Sequence, residues 1–248
     1  MFNKEIIKSS VKESWILWVA LTALSFGCLL SVIITGHASD RIPSMQQFIQ
    51  VSFFSILATM FPMIFIAVIG NKLITGEVEK GHMAYLLSSP LSRTQIIISK
   101  MNFFILSVIA HVFVLYITGV IAFSIYETDI TMLNWTLICL NFLGLLISLS
   151  AIAFFVSTYF NKSSLSLSIT GGLTLLFIVF NFLGGTGAQL FTSFEWIKYL
   201  SLISLMDVPN INASDVLTWL PQSLALFGLS VCLYIGSIYV FKNKDLPL

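Results

Sequence analysis

Six long runs of sequence contain no charged residue, and this feature constrains the fold more than any other. The runs cover residues 14–39, 42–71, 101–126, 130–161, 163–194 and 216–241. Each is longer than the ~20 residues that a helix needs to cross the hydrocarbon core of a bilayer. Backbone groups in lipid must bond within a helix or a closed barrel, and these runs lack the alternation of barrel strands. The sequence therefore predicts an all-α integral membrane protein with six transmembrane helices.

The charged residues that flank the runs set the expected helix boundaries within a single transmembrane domain over residues 1–248. The helices are expected at approximately 15–36, 51–70, 94–126, 131–160, 164–187 and 217–241. Only 9% of the residues are charged, against about a quarter in soluble domains, so the charges are too few to cover a water-facing surface.

The three cysteines lie in apolar runs without metal-site spacing. We interpret them as small buried hydrophobic residues and expect no metal site.

Lysine and arginine are distributed unevenly between the two ends of the predicted helices. An even number of crossings places both termini on one side, and ten of the twelve basic residues fall on that side. They are Lys4, Lys8, Lys12, Lys72, Lys80, Arg93, Lys100, Lys162, Lys242 and Lys244. Arg41 and Lys198 fall on the other side. The positive-inside rule therefore predicts an N-in/C-in topology, with the connection between helices two and three in the cytoplasm.

The most polar stretch of the chain is GEVEKGHMAYLLSSPLSRTQIIISK, residues 76–100, between the second and third predicted helices. Glu77 and Glu79 would lie in the first turn of a helix, where acidic side chains complement the helix dipole. Four apolar residues would form one side of that helix: Val78, Met83, Leu86 and Leu87. Pro90 would end it, because the residue before a proline is disfavoured in the α region. The stretch thus predicts a cytoplasmic amphipathic helix over residues 76–89.

A second helix start follows directly. Ser92 and Gln95 fit the S-x-x-Q capping box, so the third transmembrane helix would begin near Arg93. The amphipathic helix before it has two interpretations: it rests on lipid headgroups, or it docks a cytoplasmic protein. Helices that rest on headgroups are rich in Lys and Arg, whereas this one mixes acidic and basic side chains. We therefore favour the docking interpretation.

Residues 76–100 closely resemble the E-x-E-x-G…L-L-S-x-P…S-R-x-x-I-x-x-x-K pattern of ABC-2 type ABC transporter permeases. The matching residues are Glu77, Glu79, Gly81, Leu86, Leu87, Ser88, Pro90, Ser92, Arg93, Ile97 and Lys100. His82 departs from the pattern, which usually has Thr at that place. In that family the segment is the coupling helix, which sits in a cleft of the ATPase subunit. The resemblance implies that the residues coupling this chain to an ATPase are Glu77, Glu79, Lys80, Gly81, His82, Leu86, Leu87, Pro90, Ser92 and Arg93.

The resemblance also implies partners. No G-x-x-x-x-G-K-[ST] motif occurs, so the chain lacks a phosphate-binding loop and is not expected to be an enzyme or to bind a cofactor. ATP and Mg²⁺ would be held by cytoplasmic ABC ATPase subunits, and a second permease, identical or related, would complete the pathway. The expected location is the bacterial cytoplasmic membrane, in contact with lipid and without nucleic acid. The overall character is similar to the permeases of bacterial peptide exporters.

Ionisable side chains are rare inside the predicted spans. None of the six runs contains a carboxylate, which argues against an ion-coupled carrier. His111, the ionisable residue well inside a span, is either a proton switch or substrate contact, or a neutral side chain bonded to a neighbouring helix. Asn141 and Asn181 either line a path or join helices, and we favour helix contacts for all three. Pro62 is expected to kink the second helix, as a static bend or as a lever.

The longest external stretch, residues 185–217, carries several aromatic residues: Phe191, Phe194, Trp196 and Tyr199. Trp and Tyr favour the headgroup level of a bilayer. Glycines at 184, 185 and 187 would act as a hinge before them. We therefore expect an extracellular interfacial or re-entrant helix before the sixth span, and ABC-2 permeases resemble this arrangement.

These expectations combine into one functional hypothesis. The chain would be the membrane permease subunit of an ATP-driven ABC exporter, and the absence of charges in the spans favours an apolar or amphipathic substrate, such as a peptide, an antibiotic or a lipid-like molecule. Two alternatives stay open from the residues alone. One is a non-transporting membrane anchor or immunity subunit of an ABC complex, and the other is an ATP-independent channel or carrier.

Overall fold

The computed structural model describes residues 4–38, 44–83, 86, 91–126, 128, 130–184 and 192–244. Six helical segments in this part of the chain are long and apolar enough to cross a membrane, which confirms the predicted all-α membrane fold. The second of them is built from α2 (Met45–Ile49), a π-helical turn (Gln50–Phe54), α3 (Leu57–Leu73) and α4 (Thr75–Glu79). The other five are α1 (Lys4–His37), α5 (Arg93–Ile125), α6 (Met132–Tyr159), α7 (Ser163–Gly184) and α8 (Val216–Asn243).

The first helix starts earlier than the sequence suggested. We expected it from residue 15, close to the start of the uncharged run, but α1 starts at Lys4. Lys and Glu are good helix formers, so the charges before residue 15 end the apolar part of the segment without ending the helix. Ser10 and Ser14 in this basic portion are buried, which shows that it packs against the rest of the bundle.

The second span is less regular than one kinked helix. Ser55 donates its N–H to the carbonyl of Gln50 at 2.9 Å, which closes the π-helical turn. At Ile56 the backbone leaves the helical region, with φ −135° and ψ −52°, so an interruption precedes Pro62. Pro62 itself lies inside α3. The span therefore bends at a place that the proline alone did not indicate.

α6 forms the centre of the bundle. It packs against α3, α5, α7 and α8, and aromatic rings fill the spaces between these helices. Phe154 of α6 stacks on Phe104 of α5 at 6.2 Å between ring centroids, and Phe142 meets Phe54 of the π-helical turn edge-on at 5.3 Å. By contrast, α1, α7 and α8 expose most of their apolar surface, as expected for helices that face lipid or another protein.

Polar contacts bring the two chain ends to the same end of the bundle. Lys72, at the end of α3, forms an ion pair with Glu13 near the N-terminus at 3.2 Å. Arg93, at the start of α5, donates to the carbonyl of Lys244 near the C-terminus at 2.9 Å. Since α3 ends and α5 starts at the same end of the bundle, both termini lie there, as six crossings require. Which side of the membrane this end faces stays a prediction.

The segment before α8 packs against the opposite end of the bundle. It contains three short 3₁₀ helices, Thr192–Leu200, Leu202–Leu205 and Val208–Asn210. Trp196 and Tyr199 are exposed, whereas Phe191, Gly185, Gly187 and the side chain of Phe194 lie outside the described part of the structure. The expected helix before the sixth span is thus a 3₁₀ helix. Its interfacial or re-entrant placement stays a prediction.

Several hydrogen bonds fix this segment in place. Ser201 Oγ donates to the carbonyl of Phe177 on α7 at 2.7 Å. Gln46 Nε2, at the start of the second span, donates to the carbonyls of Val208 at 2.7 Å and Ile211 at 3.2 Å. The segment is therefore anchored to α7 and to the start of the second span.

Candidate functional site

The segment at residues 75–83, which we call the foot, begins where the second span is interrupted again. At Ile74 the backbone leaves the helical region, with φ −124° and ψ −69°. The hydroxyl of Ser157 on α6 fills the gap, because it accepts from the N–H of Thr75 at 3.2 Å and donates to the carbonyl of Asn71 at 3.4 Å. A side chain inserted into the helical bond ladder in this way bends the helix. Ser157 thereby attaches the upper end of the foot to α6.

Lys100 of α5 attaches the foot to a second helix. Its ammonium donates to the carbonyl of Leu73 at 2.6 Å and forms an ion pair with Glu77. In an unbroken helix the Leu73 carbonyl would accept from the N–H of Glu77, but that N–H donates to Ile74 instead. Lys100 thus supplies the partner that the interruption removed. Its side chain is 1% exposed and that of Glu77 is 21% exposed, so the pair is held largely out of water.

Glu79 attaches the foot to a third helix. Its carboxylate accepts from the backbone N–H of Ser163 at 2.9 Å, at the first residue of α7. The first amides of a helix lack partners within the helix and form the positive end of its dipole, so a carboxylate is favourable there. Asn71 Nδ2 donates to Ser163 Oγ at 2.6 Å and holds the same helix start. Both acidic residues of the sequence motif are therefore engaged inside the chain.

The outer part of the foot is exposed. α4 ends at Glu79, and Gly81 adopts φ 74°, a left-handed conformation that glycine adopts without steric cost. Lys80, Gly81 and His82 are exposed, whereas Val78 and Met83 are buried beneath them. The foot therefore presents a short polar tip on an apolar base.

This geometry corrects one expectation. The predicted continuous helix over 76–89 is wrong, because Lys80 and Gly81 form a turn in the middle of it. His82, Met83 and Leu86 are helical beyond the turn. Leu87 and Pro90 lie outside the described residues, so their predicted part in coupling stays a prediction.

The start of α5 follows the sequence expectation closely. The capping box is confirmed: Gln95 donates its N–H to Ser92 Oγ at 3.2 Å, and Ser92 donates its N–H to Gln95 Oε1 at 3.1 Å. Arg93, the first residue of the helix, donates to the carbonyl of Lys244 rather than pointing away from the bundle. The third predicted span thus begins at the residue where we expected it.

Lys244 links the C-terminal end of α8 to α6. Its ammonium donates to the carbonyls of Thr158 at 2.7 Å and Phe160 at 3.0 Å, where α6 ends. A cation near the last carbonyls of a helix is favourable, although burial lowers the pKa of Lys244 to about 8. Together with the Arg93 contact, this residue closes a ring of polar bonds around the base of the bundle.

The three polar residues singled out inside the spans each contact another segment. His111 Nδ1 lies 3.0 Å from Thr22 Oγ1 of α1. Asn141 Oδ1 accepts from Ser223 Oγ of α8. Asn181 Nδ2 donates to the carbonyl of Ser55 at 3.5 Å, where the second span is interrupted. All three contacts connect different segments, which is the geometry that the helix-contact interpretation requires.

Sequence reasoning missed two residues that build the site. Lys100 was recognised only as part of the family pattern, and its spacing from Glu77 did not indicate an ion pair. Ser157 lies in an apolar run with several other serines and threonines, and no local signal distinguishes it. Among the described residues, no group of His, Cys, Asp and Glu could hold a metal ion.

Comparison with known proteins identifies a family. The chain matches the family described as ABC-2 family transporter protein over residues 29–246, which is most of its length. The match includes the foot, the interrupted second span and the segment before α8. No curated protein matches the chain closely enough to serve as a relative.

Proposed function

The chain belongs to the ABC-2 transporter family, and on that premise we propose that it is the permease subunit of an ATP-driven exporter in the bacterial cytoplasmic membrane. Members of this family are membrane components of transporters and are not themselves catalytic. The family assignment and the six spans support a multi-pass membrane protein that works with a cytoplasmic ATPase. The export direction, the substrate and the contact surface for the ATPase are the finer parts of the proposal.

The foot is the surface that would receive the ATPase. Its tip is polar and exposed, and it lies at the basic end of the bundle, which the positive-inside rule places in the cytoplasm. Lys80 and His82 are the exposed side chains next to the turn at Gly81, so they would contact the partner directly. Glu77 and Glu79 would act differently from the original expectation, because their carboxylates hold the tip against α5 and α7.

The single observation that carries the proposal is the attachment of the foot, with its exposed tip, to three helices. Ser157 connects its upper end to α6, Lys100 connects it to α5 through Glu77, and Glu79 connects it to α7. A displacement of the tip would therefore reach several spans at once, which is what a subunit driven by nucleotide-dependent motion requires. ATP and Mg²⁺ would be bound by the ATPase.

The exposed faces of the bundle support a second permease and an apolar or amphipathic substrate. α5 exposes Ile109, Phe113, Ile117 and Ile121 along one side, and these residues recur at the three- to four-residue spacing of one helix face. A second copy, or a related permease, would cover part of the exposed surface and complete the pathway. A peptide or lipid-like molecule would move between the two subunits or along their lipid face.

Charge reversal at the tip tests ATPase docking. We expect Lys80→Glu combined with His82→Glu to weaken binding of the purified ATPase at least tenfold and to abolish ATP-dependent efflux from proteoliposomes. Neither side chain makes a hydrogen bond or ion pair with the described residues, so we expect thermal stability in detergent to be unchanged. Lys242→Glu is the matched control, because Lys242 is also an exposed lysine at the same end of the bundle.

Three outcomes would contradict the proposal. Unchanged ATPase binding by the double variant would remove the foot from the interface. Normal binding of the ATPase without any substrate flux would indicate a membrane anchor. Substrate flux without ATP or the ATPase would indicate a channel or carrier.

A further inference from the structure

An apolar groove opens on the surface of the bundle between α1, α3 and α5. Its volume is about 300 Å³, and it is open on one side. Its wall includes Val11, Trp15 and Trp18 of α1, Phe65 of α3, and Phe103 and Ala110 of α5. It lies near the N-terminal end of α1.

The chemistry of the wall suits a hydrocarbon chain. The lining is almost entirely carbon, and the polar groups of Ser14, Trp18 and Ser107 are already paired. The Trp18 indole N–H donates to the carbonyl of Ser107 at 2.9 Å, and Ser14 Oγ donates to the carbonyl of Ser10 at 2.6 Å. A bound hydrocarbon chain therefore leaves no polar group of these two side chains without a hydrogen bond. A water molecule in the same place would have few hydrogen-bond partners.

The groove runs from the headgroup level into one leaflet. The α1 residues that line it run from Ile7 to Trp18, and at 1.5 Å per residue this stretch is about 16 Å long. Its first half lies in the basic portion of α1 and its second half in the span expected from residue 15, so it has room for the headgroup end and the first part of a single acyl chain.

Basic side chains stand at the mouth of the groove. Lys4 and Lys8 precede Val11 and Trp15 by seven residues, which places them on nearly the same face of α1. Lys12 lies beside them, and all three lysines are exposed.

The acidic residues of the same stretch do not cancel this charge at the groove. Glu13 is paired with Lys72 at 3.2 Å, and Glu5 has an interaction of its own. Among the residues that the structure describes, none that is acidic contributes to the wall of the groove. The mouth is therefore basic, and the wall is apolar.

We propose that this groove binds one acyl chain of an anionic phospholipid, with the headgroup at Lys8 and Lys12. The apolar wall holds the chain, and the lysines select the negative headgroup, each adding an attraction of the size found for basic residues at anionic membrane surfaces. Trp15 and Trp18 lie at the level where indole rings favour the membrane interface. The inference concerns lipid binding and is independent of the proposed transport function.

Quenching of tryptophan fluorescence by brominated lipids tests this site. Of the five tryptophans, Trp15 and Trp18 line the groove, Trp135 and Trp219 are buried, and Trp196 is exposed at the other end of the bundle. In the Trp196→Phe protein, reconstituted in phosphatidylcholine bilayers, Trp15 and Trp18 therefore contribute most of the tryptophan fluorescence that brominated lipids can quench. We expect brominated phosphatidylglycerol to quench this signal more strongly than brominated phosphatidylcholine at the same mole fraction.

Matched variants separate the headgroup from the chain. Lys8→Gln and Lys12→Gln should each raise the phosphatidylglycerol fraction needed for half-maximal quenching about fivefold. Lys162→Gln, at an exposed lysine away from the groove, should not change it. Ala110→Phe should abolish the selective quenching by filling the groove, whereas Ile109→Phe, on the neighbouring lipid-facing residue, should retain it.

Each contrary result overturns the proposal. Equal quenching by the two lipids, or an equal effect of Lys162→Gln and Lys8→Gln, would show that the lysines do not select the headgroup. Selective quenching that survives Ala110→Phe would place the lipid outside the groove. Absence of quenching by either lipid would show that a second copy or a substrate covers the site.

Discussion

Lys100 is a cation buried almost completely in a chain that otherwise keeps its charges at the ends of its helices. A buried ammonium is unfavourable unless its donors are used. Here one donor goes to the Leu73 carbonyl, and the charge is balanced by Glu77. The ion pair therefore explains, in physical terms, why this lysine and this glutamate occur together in the motif.

The pair should behave as a coupled unit in a double-mutant cycle. We expect Glu77→Leu and Lys100→Met each to destabilise the protein by about 2 to 4 kcal/mol, because each leaves a charge without its partner. The double variant should be less destabilised than the sum of the two, with a coupling energy of about 1 to 3 kcal/mol. Thermal unfolding in detergent gives the stability of the unmodified protein, the two single variants and the double variant. Additive effects would mean that the two side chains do not depend on each other.

Some residue-level features could be read from the sequence, and others could not. The Ser92–Gln95 capping box was predictable because it is local and its spacing is fixed by helix geometry. The Glu77–Lys100 pair was not, because the two residues lie on different segments whose approach depends on the interruption at Ile74. Asn141 was predicted as a helix contact, but its partner Ser223 on α8 has no signal in the sequence.

At the scale of elements, the second span is the one that departs most from a regular helix. It contains a π-helical turn, an interruption at Ile56, an internal proline and a second interruption at Ile74. The second interruption is stabilised from outside by Ser157 of α6. The bend at the top of the foot is thus a property of two helices together.

Removal of that hydroxyl tests this account. Ser157→Ala should destabilise the protein by about 1 to 3 kcal/mol, because the N–H of Thr75 and the carbonyl of Asn71 both lose a partner in a buried place. Ser148→Ala is the matched control, since Ser148 is equally buried on α6 but bonds only to the carbonyl of Leu145 in its own helix. The midpoints of thermal unfolding should differ by several degrees. Equal midpoints would show that the interruption does not need Ser157.

The limits of sequence reasoning at this scale follow from the same elements. The apolar runs located α6 and α8 to within two residues at each end, because the charges that flank these runs lie close to the helix ends. The start of α5 was located instead by its capping box, since its apolar run begins only after Lys100. They did not locate the start of α1, where charged residues continue the helix. The turn at Lys80 and Gly81 had a signal in its glycine, but the apolar spacing of Val78 and Met83 favoured an unbroken helix.

In the whole molecule, the connections between helices form two groups at opposite ends of the bundle, and polar contacts hold each group together. One end carries the foot, Arg93 and Lys244, and the other carries the segment before α8. Most of the basic residues lie at the first end, and this asymmetry is the basis of the predicted N-in orientation.

Cysteine labelling in intact cells tests the orientation. In a background with Cys28, Cys139 and Cys232 replaced by alanine, Lys80→Cys should react with a membrane-impermeant maleimide only after the cells are opened. Lys198→Cys should react in intact cells, because it lies at the other end of the bundle. The opposite pattern would reverse the orientation and remove the foot from the cytoplasm.

The anchoring of the segment before α8 has a consequence for how the two ends of the molecule can move. Gln46 holds that segment through two carbonyls, and the same span continues to Glu79 at the foot. One continuous span therefore connects the segment before α8 to the foot at the opposite end of the bundle. A rigid translation of this span would displace both of them together. Independent movement of either one would require the backbone to bend at the interruptions at Ile56 or Ile74.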